Sequence, residues 1–315
     1  MSDCPAHALA RPAADRARRW LRLLAAPLLL GLVLAAVEPA AALAALRGAG
    51  PGWLLAALLL VQAQIVVSAL RWRFTAARLG QRMARRRAVS EYYLATLLNQ
   101  TTPGGVGGDA ARAWRTRATA GRLNTAVRAV VLERLGGQVA FFAVAATGLA
   151  AWPLLGRGSA PRDAAVLLAA GAGVLLLGAL LTALVARRGP PAARRALHGL
   201  WPDLRRAWFV RSAWLVQGIL STAVVATYIG VFALCARALG DPLPPAALAT
   251  AVPLVLLAML LPVSVGGWGV REATAAALWP LFGLPAAHGV AASVLYGLVN
   301  LAGALPGLLR VLRRP

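Results

Sequence analysis

The feature that most constrains the fold is a glycine-rich interruption inside a long apolar tract. Residues 262–272 read PVSVGGWGVRE, whereas the sequence on both sides is rich in leucine and alanine. A charged side chain in hydrocarbon costs about 3 kcal/mol even on insertion scales. Irregular backbone at membrane depth must be surrounded by protein or water. The stretch therefore predicts the break in a re-entrant helix pair that lines a polar cavity.

An earlier stretch repeats this pattern. Residues 103–109 read PGGVGGD and share Pro-x-x-Val-Gly-Gly with the later stretch, at an offset of 159 residues. Paired interruptions in matching positions of two halves indicate a transporter-type binding site. Chance similarity is the alternative, because the chain is rich in alanine and glycine. The residues expected to form the two breaks are Pro103, Gly104, Gly105, Gly107, Gly108, Pro262, Gly266, Gly267 and Gly269.

The composition predicts an all-α polytopic membrane protein. Hydrophobic residues make up 60% of the chain, and several apolar runs approach 20 residues, the length that spans a bilayer. All 33 basic residues are arginines, against 10 acidic residues. A nucleic-acid-binding protein would carry them on a folded polar surface. Here they lie between apolar runs, as in cytoplasmic loops, so no nucleic-acid partner is predicted.

The apolar runs predict about six transmembrane helices and two re-entrant hairpins. A cytoplasmic tail, residues 1–19, precedes a single integral membrane domain, residues 20–315. Its halves cover about 20–152 and 164–311, and an odd number of spans in each half makes them an inverted repeat. The predicted spans are 20–37, 52–70, 125–152, 164–186, 212–236 and 286–309, and the hairpin arms are 88–100, the basic segment from 112, 246–261 and 270–281.

The distribution of arginine predicts the orientation. If the N-terminus is cytoplasmic, 27 of the 33 arginines lie on the cytoplasmic side. This asymmetry predicts a bacterial cytoplasmic (inner) membrane protein with both termini in the cytoplasm. The segment Arg71-Trp72-Arg73 is interpreted as an interface anchor that ends the second span. The arginines of residues 71–87, with Arg115 and Arg117, are expected to bind anionic lipids, and Glu91 to be a helix-start charge.

Six charged residues near the breaks and in the third span are the predicted substrate-binding residues. Each has a structural alternative. Asp109 could be a helix N-cap, and Arg112 could extend to the interface. The other four could form a buried ion-pair network. We favour a site, because intramembrane charge usually marks a transport pathway. The six residues are Asp109, Arg112, Glu133, Arg134, Arg271 and Glu272.

The sequence predicts no catalytic residues, no metal site and no cofactor. It has no HExxH motif, no nucleophile elbow and no cluster of histidine or aspartate. Its two cysteines, Cys4 and Cys235, have no metal-ligand spacing with the three histidines. We therefore expect that the protein is not an enzyme.

The break motifs resemble a known family. Residues 99–112 (NQTTPGGVGGDAAR), Glu133-Arg134 within a helix, and residues 261–273 (LPVSVGGWGVREA) are similar to the lysylphosphatidylglycerol synthase transmembrane-region family, also called flippase-like. The resemblance covers roughly residues 20–311. In the best-known members this membrane part flips an aminoacylated phospholipid made by a following soluble transferase domain. The sequence stops at Pro315 without such a domain, so it resembles the stand-alone members.

The resemblance implies lipid handling. The expected function is movement of an anionic, aminoacylated or glycosylated phospholipid, or of a polyprenyl-phosphate lipid, between leaflets. The expected partners are anionic lipid headgroups and a lipid-synthesis enzyme. One alternative is an ion-coupled carrier of a small metabolite, with Glu133 and Glu272 as proton or sodium sites. A non-transporting membrane partner of a lipid synthase is another, and a membrane enzyme acting on lipid phosphate is the weakest.

Overall fold

A computed structural model describes residues 47–102, 105–152, 199–259 and 264–312, together with a few helical positions between 166 and 188. No β-strand occurs among these residues. The helices are α1 (Pro51–Arg78), α2 (Arg85–Thr101), α3 (Gly107–Thr116), α4 (Leu123–Ala150), α5 (Leu200–Trp208), α6 (Ala213–Ala238), α7 (Pro245–Ala249), α8 (Ala251–Ala258), α9 (Val270–Leu278), α10 (Ala286–Ala304) and α11 (Leu308–Leu312).

Four helical segments in the described ranges are long and apolar enough to cross a membrane. They are Pro51–Arg78, Leu123–Ala150, Val210–Ala238 and Ala286–Arg310. They correspond to the second, third, fifth and sixth predicted spans, and the prediction of an all-α polytopic membrane protein is confirmed. The predicted span 20–37 lies outside the described residues, as does nearly all of 164–186.

The interpretation of Arg71-Trp72-Arg73 as an interface anchor at the end of a span was wrong. Helix α1 continues to Arg78 without interruption. Arg71 is 4% exposed and Trp72 is fully buried, so neither faces a membrane surface. The physical reason is that Arg71 has a buried carboxylate partner, Glu133, on α4, which the local sequence does not reveal.

Helix α1 is the central helix of the bundle. Val61 lies directly against Gly303 of α10, where a Cβ would come within 2.4 Å of its side chain. On the other side Leu60 contacts Gly230 of α6, where the corresponding distance is 2.9 Å. Glycines on the neighbouring helices thus allow close packing around α1, as small residues do in membrane bundles.

The first predicted hairpin is present as α2 and α3. The Asn99 side chain accepts a hydrogen bond from the Gly108 N–H at 2.8 Å. A Cβ at Gly108 would lie 1.9 Å from the Ala95 carbonyl oxygen, so only glycine permits this approach of the two arms. Gly105 lies in the connection and Gly107 is the first residue of α3, whereas Pro103 and Gly104 lie outside the described residues.

The second predicted hairpin is formed by α7 and α8 on one side and α9 on the other. Gly266, Gly267 and Gly269 have φ of 57°, 86° and 86°, the left-handed region that favours glycine. Pro262 lies outside the described residues. The incoming arm was predicted as one helix, but it is divided at Thr250 (φ −121°, ψ −65°). Pro253 explains the division, because its ring clashes with the carbonyl group four residues earlier.

The tips of the two hairpins meet. A Cβ at Gly266 would come within 2.6 Å of the Gln100 carbonyl oxygen. The backbone of the second break therefore rests directly on the end of α2. This contact brings the two interrupted segments together, and the arginines that follow the two breaks, Arg112 and Arg271, are 1% and 0% exposed.

Candidate functional site

A polar stripe runs along one face of α1. Gln64, Ser68, Arg71 and Thr75 follow helical spacing, and each is at most 4% exposed. Gln64 donates to Asn300 of α10 at 3.2 Å, and Thr75 accepts from Gln217 of α6 at 2.9 Å. Sequence reasoning missed this stripe, although polar residues at helical spacing within an apolar run are a visible signal.

The stripe leads to a group of charged residues that we call the central cluster. Glu133 is its hub. Its two oxygens accept from Arg71 of α1 at 2.5 Å and from Arg112 of α3 at 2.7 Å. The Glu133 side chain is completely buried, and the two arginines compensate its negative charge. The members of the central cluster are Arg71, Asp109, Arg112, Glu133 and Arg134.

Asp109 is the second carboxylate of the central cluster. Its contacts are to Arg112 at 3.0 Å and to Arg134 at 2.8 Å. The suggestion that Asp109 is a helix N-cap was wrong, because α3 begins at Gly107 and Val106 occupies the cap position. Asp109 instead lies in the first turn, where a negative charge interacts favourably with the positive end of the helix dipole.

Arg112 is fixed by aromatic side chains as well as by carboxylates. Its guanidinium carbon lies 5.0 Å from the Trp72 ring centre and 4.8 Å from that of Tyr92. The residue is 1% exposed, which excludes extension to the membrane interface. Within the described ranges its Nη1 is buried without a hydrogen-bond partner.

The central cluster has one open side and an excess of positive charge. The Arg134 side chain is 40% exposed and that of Asp109 is 14% exposed, whereas Glu133 and Arg112 are buried. Among the described residues three guanidinium groups face two carboxylates, so the formal charge of the central cluster is +1. A buried excess charge is costly unless a counter-charge reaches it. The Asp109–Arg134 edge is where such an anion could enter.

Arg271 and Glu272 form a separate group, which we call the second cluster, together with Ser293 and the backbone of Gly269. Arg271 donates to Glu272 at 2.7 Å, and Ser293 donates to the same carboxylate at 2.8 Å. The Gly269 N–H donates to the other oxygen at 2.6 Å. Both charged side chains are 0% exposed, and the second cluster is electrically neutral.

The two clusters occupy equivalent positions in the repeat. Arg112 and Arg271 are separated by 159 residues, the same offset as the two break motifs. Arg271 also lies between two rings, those of Trp268 at 4.9 Å and Tyr296 at 5.2 Å. The shared spacing supports a genuine repeat. The aromatic contacts are similar but come from non-equivalent positions, because Trp72 and Tyr92 correspond at this offset to Val231 and Ala251. The Trp268 ring packs on the guanidinium.

Four of the six predicted site residues, Asp109, Arg112, Glu133 and Arg134, therefore come together in one cluster. The other two pair with each other. A substrate-binding role for any of the six stays a prediction. In the described part of the chain no group of three potential metal ligands occurs. His288 pairs with Asp241.

Similarity to known proteins covers both hairpins and both clusters. Residues 19–307 match the model of the family described as the lysylphosphatidylglycerol synthase TM region. No curated protein and no solved structure matches the chain. The matched residues include both glycine-rich breaks, the central cluster and the second cluster. With a match over nearly its whole length, this multi-pass membrane protein belongs to the lysylphosphatidylglycerol synthase TM region family.

Proposed function

We propose that the protein moves a phosphate-bearing lipid between the leaflets of a bacterial cytoplasmic membrane. The observation that carries this proposal is the central cluster, whose described residues are positively charged overall, buried at Glu133 and Arg112, and accessible at Asp109 and Arg134. The family indicates a lipid-related function in a membrane. The candidate lipids are an anionic, aminoacylated or glycosylated phospholipid, or a polyprenyl phosphate.

The headgroup phosphate would supply the missing negative charge. A guanidinium can bind phosphate through two parallel hydrogen bonds. Arg134 donates one hydrogen bond to Asp109 at 3.0 Å, and its Nε lies 2.8 Å from the other carboxylate oxygen. In our proposal the phosphate replaces Asp109 as the partner of Arg134. Asp109 then remains paired with Arg112. The acyl chains of the lipid remain in the bilayer.

Release to the other leaflet requires that the bundle open elsewhere. In our proposal, the contact between Gly266 and the Gln100 carbonyl group is the one that must separate to let the headgroup pass between the two hairpin tips. Rocking of one half against the other would separate the tips, as in other inverted-repeat transporters. The chain's own residues bind and orient the lipid, and no covalent step is proposed.

The proposed orientation has both termini in the cytoplasm. Arg71 and Arg112 were counted among the cytoplasmic arginines, and both are buried. Removing them from the count still leaves most arginines on one side, so the charge asymmetry continues to support this orientation.

A leaflet-transfer assay tests the proposal. The protein is reconstituted into liposomes of phosphatidylcholine with fluorescent phosphatidylglycerol, and dithionite reports movement between leaflets. Because a hydrogen bond to a charged group contributes roughly 2 kcal/mol, Arg134→Gln should slow transfer by about tenfold or more. Arg237→Gln is the matched control, because Arg237 is an exposed arginine stacked on Trp53 at the end of α6.

Transfer by Arg134→Gln at the wild-type rate would refute the proposed site. Uptake of a soluble metabolite that depends on a proton gradient, without lipid transfer, would support the ion-coupled carrier. Co-purification with a lipid-synthesis enzyme, again without transfer, would support the non-transporting partner.

A further inference from the structure

Three charged residues at the base of the first hairpin form a group outside the central cluster, which we call the entrance cluster. Glu91 of α2 accepts from Arg115 of α3 at 2.7 Å and from Arg310 of α11 at 3.0 Å. Glu91 was expected to be a helix-start charge near the interface. It is 1% exposed and lies between two guanidinium groups from different parts of the chain.

We propose that the entrance cluster is a second anion site, which captures the headgroup phosphate of a lipid before it reaches the central cluster. The inference rests on the proposed function. The ligand class is a phosphate monoester or diester, and its chemistry is shared by a lipid headgroup and by free phosphate.

The exposure of its members indicates an accessible ligand site. The side chains of Arg115 and Arg310 are 32% and 33% exposed, whereas that of Glu91 is 1% exposed. The buried Glu91 carboxylate therefore binds two guanidinium groups, and the side chains that carry them are partly exposed. The formal charge of the entrance cluster is +1, as in the central cluster.

The hydrogen bonds leave donors free for a ligand. Arg115 uses its Nε to reach Glu91, and within the described part of the chain its two terminal nitrogens have no protein partner. Arg87 adds a third guanidinium, because its Nη2 donates to the Arg115 carbonyl oxygen at 3.3 Å. Terminal guanidinium nitrogens next to further cations are the donors that phosphate prefers.

Helix α3 connects the entrance cluster to the central cluster. Asp109, Arg112 and Arg115 follow each other at intervals of three residues, which is a rise of about 4.5 Å for each step. Arg115 lies near the end of α3 and Arg112 is buried beneath it. An anion held by Arg115 is therefore about one helical turn from the guanidinium that binds Glu133.

The lipid fraction that gives half-maximal transfer distinguishes an entrance site from the transport centre. Transfer is measured in phosphatidylcholine vesicles with increasing phosphatidylglycerol. Because a partly exposed ion contact is worth up to about 1 kcal/mol, Arg115→Gln should raise the phosphatidylglycerol fraction for half-maximal transfer by about threefold to fivefold. The maximal rate should stay within about twofold, because Arg134 remains in place.

Arg117→Gln is the matched control. Arg117 was also expected to bind anionic lipids, so this variant controls for the loss of one nearby arginine outside the entrance cluster. It stacks on Trp114 at 3.9 Å and donates to the Trp114 carbonyl group at 2.7 Å, so it belongs to neither cluster. Arg115→Lys keeps the charge and removes the fork, and it should give an intermediate value. Identical lipid dependence of Arg115→Gln and Arg117→Gln would overturn the inference.

A binding measurement separates this inference from the proposed function. Native mass spectrometry counts phosphatidylglycerol molecules retained by the purified protein, whether or not it transfers lipid. Arg115→Gln should retain fewer than Arg117→Gln. Equal retention would contradict the entrance cluster even if transfer is observed. Millimolar inorganic phosphate identifies what the site recognises. If phosphate displaces the retained lipid from wild-type protein, but does not displace the lipid that Arg115→Gln still retains, the site recognises phosphate itself. Failure to displace lipid from wild-type protein assigns the site to the lipid headgroup.

Discussion

The central cluster and the second cluster follow equivalent breaks but differ in charge and access. Each places an arginine between two aromatic rings, Arg112 with Trp72 and Tyr92, and Arg271 with Trp268 and Tyr296. The central cluster carries an excess positive charge and reaches solvent through Arg134. The second cluster is neutral and sealed. The arginine recurs at the same repeat position, whereas its aromatic neighbours and the carboxylates around it come from different positions.

One repeat position illustrates the difference. Asp109 of the first half corresponds, at the offset of 159 residues, to Trp268 of the second. The acid in the first half reaches across to Arg134 on α4 and is partly exposed. Trp268 in the second half packs on Arg271, and the carboxylate partner of Arg271 is the adjacent Glu272. A surplus charge with an opening suits a ligand, whereas a neutral, enclosed pair suits a structural role.

The largest expected effect comes from breaking the second cluster. Arg271→Ala should lower the free energy of unfolding by about 3–5 kcal/mol, because Glu272 is left as a buried, unpaired charge. Thermal unfolding in detergent measures the loss. The double variant Arg271→Met with Glu272→Gln should recover most of it. A normally stable Arg271→Ala protein that has lost lipid transfer would instead show that the second cluster binds substrate.

A smaller effect is expected from crowding the first hairpin. Gly108→Ala should lower the free energy of unfolding by about 1–3 kcal/mol, because the new Cβ meets the Ala95 carbonyl group and the arms must separate. Gly218→Ala is the matched control, because nothing lies within 4 Å of a Cβ at this position of α6. Alanine there should be neutral or slightly stabilising. Equal stability of the two variants would show that α2 and α3 adjust freely.

The smallest effect tests which part of Tyr92 matters to the central cluster. Tyr92→Phe removes a long hydrogen bond to Glu133, 3.4 Å, and keeps the ring beside Arg112. It should change the free energy of unfolding by about 0.5 kcal/mol or less. Tyr92→Leu removes the ring and should cost about 1–2 kcal/mol more, through lost cation–π contact. The same thermal unfolding measurement applies, and equal values for the two variants would show that the ring does not hold Arg112.

Local sequence was a good guide where one residue type has one physical consequence. Glycine clusters in apolar sequence predicted both breaks, and the charge in the third span raised a buried ion-pair network as the structural alternative for Glu133. The division of the incoming arm at Thr250 could also have been predicted, because Pro253 disfavours a continuous helix. Arg71 and Glu91 were misinterpreted for the opposite reason. Each lies near the end of an apolar run, where most charges face the interface.

The sequence by itself determined that this chain forms membrane helices, that two apolar segments are interrupted, and that charges follow each interruption. Hydrophobic length and the backbone preferences of glycine and proline act locally, so they can be read from neighbouring residues. Only the tertiary structure decided which charges meet. Glu133 pairs with an arginine 62 positions away and Glu91 with one 219 positions away. Such pairs depend on which helix faces come together, and for that reason the open central cluster and the sealed second cluster could be told apart only in the folded chain.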